Sequence, residues 1–145
     1  MSAGTLQIER SFQAPAEAVF EAWTNEEVLR RWFHAEPDWE TPAAQVDLRV
    51  GGAVRVVMRD PHKKDREIGG GGHYTEIEPP TRLAFTWTWD GEDRETLIEL
   101  DFEEADGVTT VRMTHSGLRD AEAVSRHEHG WSNCLANLDR ALARP

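Results

Sequence analysis

The sequence predicts an α+β domain: a curved antiparallel sheet of about seven strands around one long C-terminal helix, with two short helices after the first strand. Three observations predict it. From residue 44 to about residue 115, apolar residues recur with a period of two. After Ser116-Gly117 the period becomes 3.6 and holds to the end of the chain. At the start, a strand pattern is followed at once by two short helical stretches.

Residues 5–12, TLQIERSF, place Leu6, Ile8 and Phe12 on one side of a strand. In 14-APAEAVFEAW-23, Pro15 stands where a first helical turn tolerates it, and Val19, Phe20 and Trp23 share a face. A second helix follows, with Thr24 and Glu27 at capping-box spacing and Leu29, Trp32 and Phe33 as its apolar side. Residues 34–43 carry two prolines and read as a loop. Val46 and Leu48 then alternate with Asp47 and Arg49 up to a tight turn at Gly51-Gly52. Val54, Val56 and Met58 form the next row, and 60-DPHKKDREI-68 reads as a polar loop. A strand over 73–78 ends at Pro79-Pro80. Leu83, Phe85, Trp87 and Trp89 lead to a hairpin signal at Asp90-Gly91. Ile98, Leu100 and Phe102 lead to another at Asp106-Gly107, and Val111, Met113 and His115 make the last row. Each strand has one apolar side, and only the long C-terminal helix is large enough to cover it. A curved sheet gripping one helix leaves room between them, which is a natural place for a ligand cavity.

With 145 residues the chain is expected to be a single domain, residues 1–145. A domain of this size buries ~70% of its unfolded surface. Its net charge of −11 repels phosphate backbones and anionic membrane surfaces, so neither nucleic acid nor membrane is an expected partner. The lone Cys134 excludes an internal disulfide and a cysteine-based zinc site. The first residues, MSAGTLQIERSF, lack a basic segment followed by an apolar run, so no signal peptide is expected, and no apolar run approaches a membrane span. These features read as a soluble cytoplasmic protein.

The stretch 127-HEHGWSNCLANLDRAL-142 could open a metal site, carry an acid and a base, or be the packed face of a helix. On a helical wheel Val124, His127, Glu128, Cys134, Leu135, Leu138 and Leu142 lie within ~60° of Trp131, and His129 lies ~160° away. Residues at i and i+2 do not face each other, so His127 and His129 are a poor metal clamp. The stretch therefore reads as a packed face, with His127 pointing inward and His129 solvated. Gly130 costs ~1 kcal/mol relative to Ala inside a helix, which predicts close approach of another backbone or ring.

No nucleophile motif is present. There is no G-x-S-x-G elbow, and Ser116 and His115 point to opposite faces of a strand. The inward rows are almost wholly apolar. By parity His115 joins them, and His73 joins Thr75 and Ile77, so His73, His115 and His127 could all face a cavity. The expected cavity lining is Met58, Phe85, Trp87, Leu100 and Met113 from strands, the histidines His73, His115 and His127, and Trp32 and Trp131 from helices. No catalytic residue, metal ligand or cofactor is assigned. Asp47 and Arg49, at i and i+2, read as a structural ion pair or turn support.

Five motifs in order carry a resemblance. They are Trp23-Thr24 with Trp32-Phe33, 47-DLRVGG-52, 79-PPTRLAFTWTW-89, 114-THSGL-118, and His127…Gly130-Trp131 leading to Leu138 and Leu142. From Ile8 to Leu142 the chain resembles the activator of heat-shock-protein-90 ATPase homologue family, in the START-like (SRPBCC) helix-grip superfamily. The resemblance implies a helix-grip fold with a cavity between sheet and long helix. It does not imply one activity, since that superfamily includes lipid and hormone carriers and polyketide cyclases. The family's co-chaperone activity belongs to a larger protein with a separate docking domain. One departure from the family pattern is 69-GGGGH-73, which is richer in glycine than family strands usually are. It lacks the GK[ST] of a phosphate loop and reads as a bulged or mobile segment at the pocket rim.

Three functional readings follow. The first is a cofactor-free protein that binds a small, flat or partly aromatic hydrophobic molecule. The second is an enzyme of cyclase, hydrolase or dehydratase type using His73, His115 or His127. The third is an interaction protein acting on a chaperone ATPase. Exposed edge strands would also allow a homodimer.

Overall fold

The computed structural model describes residues 4–63 and 66–143. The chain runs β1 (Leu6–Phe12), α1 (Ala16–Thr24), α2 (Glu26–Trp32), β2 (Glu40–Val46), β3 (Ala53–Asp60), β4 (Arg66–Glu78), β5 (Arg82–Trp89), β6 (Thr96–Ala105), β7 (Val108–Ser116) and α3 (Ala121–Leu142). The strands form one curled antiparallel sheet in the order β1-β7-β6-β5-β4-β3-β2. Hairpins join β2 through β7 in sequence, while the two short helices carry the chain from one edge strand, β1, to the other, β2.

The inward rows anchor the core. Val54, Val56 and Met58, then Leu83, Phe85 and Trp87, then Ile98, Leu100 and Phe102, then Val111, Met113 and His115 are all buried. The helix α3 lays Trp131, Cys134, Leu135 and Leu138 against them. Glu128, at the edge of that face, is exposed. Asp120 caps α3 by accepting from the Ala123 amide at 2.9 Å. The hairpin between β6 and β7 turns through Asp106 and Gly107, both at positive φ, as a two-residue primed turn requires. Among the described residues no helix is long and apolar enough to cross a membrane.

The structure corrects five local expectations. The cap of α2 is Asn25, whose side chain accepts from the amides of Glu27 and Val28. Thr24 instead turns its hydroxyl back to the Phe20 carbonyl. The expected loop over 34–43 ends early, because β2 begins at Glu40. Pro42 is tolerated there because β2 is an edge strand and its register shifts between Glu40 and Ala43. The strand then stops at Val46, so Leu48 and Val50 belong to the turn and stay exposed, at 44% and 64%. Asp47 and Arg49 pair at 2.8 Å within this exposed turn, as expected. The expected loop over 60–68 is shorter than its polar composition suggests, because β3 runs to Asp60 and β4 begins at Arg66.

The fifth correction concerns the glycine run, which lies inside one continuous strand of 13 residues, β4. Glycine is required there by close packing. A Cβ on Gly70 would come within 2.7 Å of the Trp87 indole, and one on Gly72 within 2.2 Å of the Thr86 carbonyl oxygen. The register shift sits further on, between Tyr74 and Glu76. That extra residue reverses the side-chain parity, so Tyr74 is buried and His73 is exposed.

Candidate functional site

A cavity of about 590 Å³ lies between the concave face of the sheet and the first half of α3. Met58, Ile68, Trp87, Trp89, Thr96 and His115 line it from β3 to β7. From α3 come Ala123, His127, Gly130, Trp131 and Cys134. Phe33, Ala35 and Trp39, from the segment after α2, and Leu118, just before α3, complete the apolar wall.

Six of these side chains form a closed circuit of ring contacts. Trp131 meets Phe33 at 5.4 Å between centroids, and Phe33 stacks on Trp87 at 5.6 Å. Trp87 meets Trp89 edge-on at 5.4 Å, and Trp89 lies 6.1 Å from His127. His127 meets His115 at 5.1 Å, and His115 returns to Trp131 at 6.2 Å. Edge-to-face and offset pairs of this kind hold rings in fixed orientations. Trp87, Trp89 and Trp131 all stand on the lining of this space.

His115 is fully buried and both its ring nitrogens are engaged. The Trp131 indole N–H donates to Nδ1 at 3.1 Å. An indole nitrogen can only donate, so Nδ1 is unprotonated and the proton is on Nε2. That N–H faces the Thr96 hydroxyl at 2.8 Å, and Thr96 donates onward to the Trp87 carbonyl at 3.0 Å. Burial, with His127 nearby, pushes the His115 pKa down to about 3. His115 is therefore a neutral residue whose tautomer is fixed by three neighbours.

The same logic fixes His127. Trp89 Nε1 donates to its Nε2 at 3.1 Å, so the proton sits on Nδ1 and is donated to the Ala123 carbonyl at 2.8 Å. His127 is half-buried and closes the circuit against Trp89. His129 points the other way and meets Glu36 at 3.0 Å on the exposed side of α3. Cys134 donates its thiol to the His34 carbonyl, and burial raises its pKa, so it is held as a thiol. Gly130 approaches nothing closely: the nearest atom to an added Cβ would be the Ala35 Cβ, at 3.4 Å. The expected close approach is absent, and Gly130 is instead part of the cavity wall.

Of the ten residues expected to line a cavity, Met58, Trp87, His115, His127 and Trp131 do so. Phe85, Leu100 and Met113 are buried in the core outside it. Trp32 is also core, with its indole N–H tied to the Ala22 carbonyl at 3.0 Å. His73 lies on the outer side of the register shift, beside Thr86. Sequence reasoning missed Thr96, although it precedes Ile98 and Leu100 by the same two-residue step. It also missed the charged mouth, where Arg66, Arg94, Arg119 and Arg126 stand with Asp90 and Glu92. Those residues sit mainly at element ends and in loops, where no period marks them.

Comparison with known proteins agrees with this architecture. A protein of Silicibacter pomeroyi described as AHSA1 is 30% identical, with 96% of this chain and 97% of that one covered and a TM-score of 0.82. A protein of Rhodobacter sphaeroides is 28% identical, with coverages of 98% and 94% and a TM-score of 0.83. The AHSA1-like protein of Aeromonas hydrophila is 28% identical, with coverages of 96% and 92% and a TM-score of 0.82. Among curated proteins none matches the chain. The family model described as activator of Hsp90 ATPase homolog 1-like protein matches residues 13–143, and the chain belongs to that family.

Proposed function

We propose that the protein binds a small, flat or partly aromatic hydrophobic molecule in the cavity between sheet and α3, and does not act on it chemically. The observation that supports this reading is a space of about 590 Å³, a volume typical of small-molecule sites, with all six side chains of the ring circuit on its lining. The two cavity histidines would be the natural acid and base of an enzyme. Each of their four ring nitrogens is committed to a protein partner, which leaves no free lone pair or proton for a substrate.

Thermal unfolding in the presence of flat hydrophobic compounds tests this. A ligand at 100 times its Kd stabilises the folded state by about 2.7 kcal/mol. Ile68 is half-buried on the wall, so Ile68→Trp should fill the space and abolish the shift. Equal shifts in both proteins would place binding elsewhere and contradict the proposal.

A second reading rests on the matched family's description. As a chaperone co-activator, the protein would raise the ATP hydrolysis rate of a heat-shock-protein-90 chaperone. No increase at saturating protein would remove that reading.

A further inference from the structure

The chain carries 27 acidic and 16 basic residues, yet the cavity mouth reverses that balance. Four arginines line it, Arg66, Arg94, Arg119 and Arg126, against two carboxylates, Asp90 and Glu92. Asp90 is already neutralised by a two-pronged pair with Arg55, at 2.9 and 2.7 Å. Arg126 pairs with Glu122 along α3 at 2.9 Å, and Arg94 donates to the Gly117 carbonyl at 3.2 Å. The neighbouring carboxylate of Asp120 is committed to the cap of α3. Arg66 and Arg119 have no side-chain partner among the described residues. They stand at the mouth beside Ile68 and Leu118, which belong to the apolar wall.

A binding site for a wholly apolar molecule gains nothing from unpaired guanidinium groups at its entrance. In a chain of net charge −11, the four arginines against Asp90 and the one mouth carboxylate unpaired among the described residues, Glu92, leave a local positive excess at the entrance. Arginine presents a planar fork of donors suited to carboxylate and phosphate oxygens. Building on the binding reading above, we infer that the ligand is an amphiphile: its apolar body lies within the aromatic circuit and its anionic head meets Arg66 and Arg119 at the mouth. Carboxylate and phosphate heads share this chemistry. The rim would also attract such anions from solution, an effect that salt screens over about 10 Å at 0.1 M.

The test is calorimetric titration with pairs of compounds that share a body and differ in charge. The probes are 2-naphthoate against 2-naphthalenemethanol, and dodecanoate against dodecanol, with 2-naphthyl phosphate to separate the two head types. The anion of each pair should bind about tenfold tighter than its alcohol, the size expected of two exposed ion pairs. That preference should shrink as salt is raised, and should be lost in Arg66→Gln/Arg119→Gln. Both arginines are exposed, so the double variant is expected to fold. The alcohols report whether the apolar cavity itself is intact in that variant. Alcohols binding as tightly as anions would overturn the anionic head and leave the cavity reading standing. If none of the five compounds bound, both readings would fall.

Discussion

Trp131 donates its indole N–H to Nδ1 of His115, and this one bond joins the long helix to the last strand of the sheet. It also settles the chemistry of the histidine. With Nδ1 accepting and Nε2 donating to Thr96, His115 is neutral and saturated. Its burial holds the pKa near 3.

Stability should therefore depend on pH in a defined window. The unfolded chain protonates this histidine near 6.5, whereas the folded protein keeps it neutral down to about pH 3. Between those values the unfolded state binds more protons. The stabilisation is complete above 6.5 and is lost as pH falls, at about 1.4 kcal/mol per pH unit. His34, also buried and shifted downward, acts in the same direction. His115→Gln can still accept from Trp131 and donate to Thr96 but does not titrate. Denaturant unfolding between pH 4 and 6.5 should show a slope shallower by about 1.4 kcal/mol per pH unit in the variant. Parallel slopes would mean that His115 is protonated in the folded state.

The glycines at 70 and 130 should respond in opposite ways to the same substitution. In Gly70→Ala the new methyl group would press on the Trp87 indole at 2.7 Å, and overpacking of this kind costs about 1–3 kcal/mol. In Gly130→Ala the methyl group meets Ala35 at ordinary contact distance, and the helix gains about 0.5–1 kcal/mol. Thermal unfolding of the two variants should bracket the parent protein, with Gly130→Ala above it.

Capping assigns the start of α2 to Asn25. Asn25→Ala should cost about 1 kcal/mol, and Thr24→Ala clearly less, because Thr24 only bonds back into α1. Urea midpoints of the two variants would reverse in order if Thr24 were the cap.

How far the sequence reveals the molecule depends on whether a feature obeys a period. The rows of β3, β5, β6 and β7, and the inward face of α3 from Trp131 to Leu138, follow strict periods of 2 and 3.6 and were legible. The position of His73 was not. Its parity, read back from Ile77, crosses the extra residue between Tyr74 and Glu76, and one inserted residue turns every preceding side chain to the other face. The glycine run read as a bulged or mobile rim, because the Trp87 and Thr86 atoms that press on it lie on the neighbouring strand and leave no mark in the local sequence. Phe85, Leu100 and Met113 face inward as the pattern predicts. Whether an inward residue meets a cavity or another side chain depends on where α3 sits, and no local pattern carries that. The arginines of the mouth come together only through the folding of distant loops and element ends.

Native mass spectrometry of freshly purified protein, beside the same sample denatured, asks whether the space between sheet and α3 holds a small molecule. A bound ligand should appear as a mass excess in the native spectrum that disappears on denaturation, in a fraction that falls in Ile68→Trp. A native mass equal to that of the bare chain, with no stabilisation of the purified protein by any of the hydrophobic compounds, would contradict the binding reading.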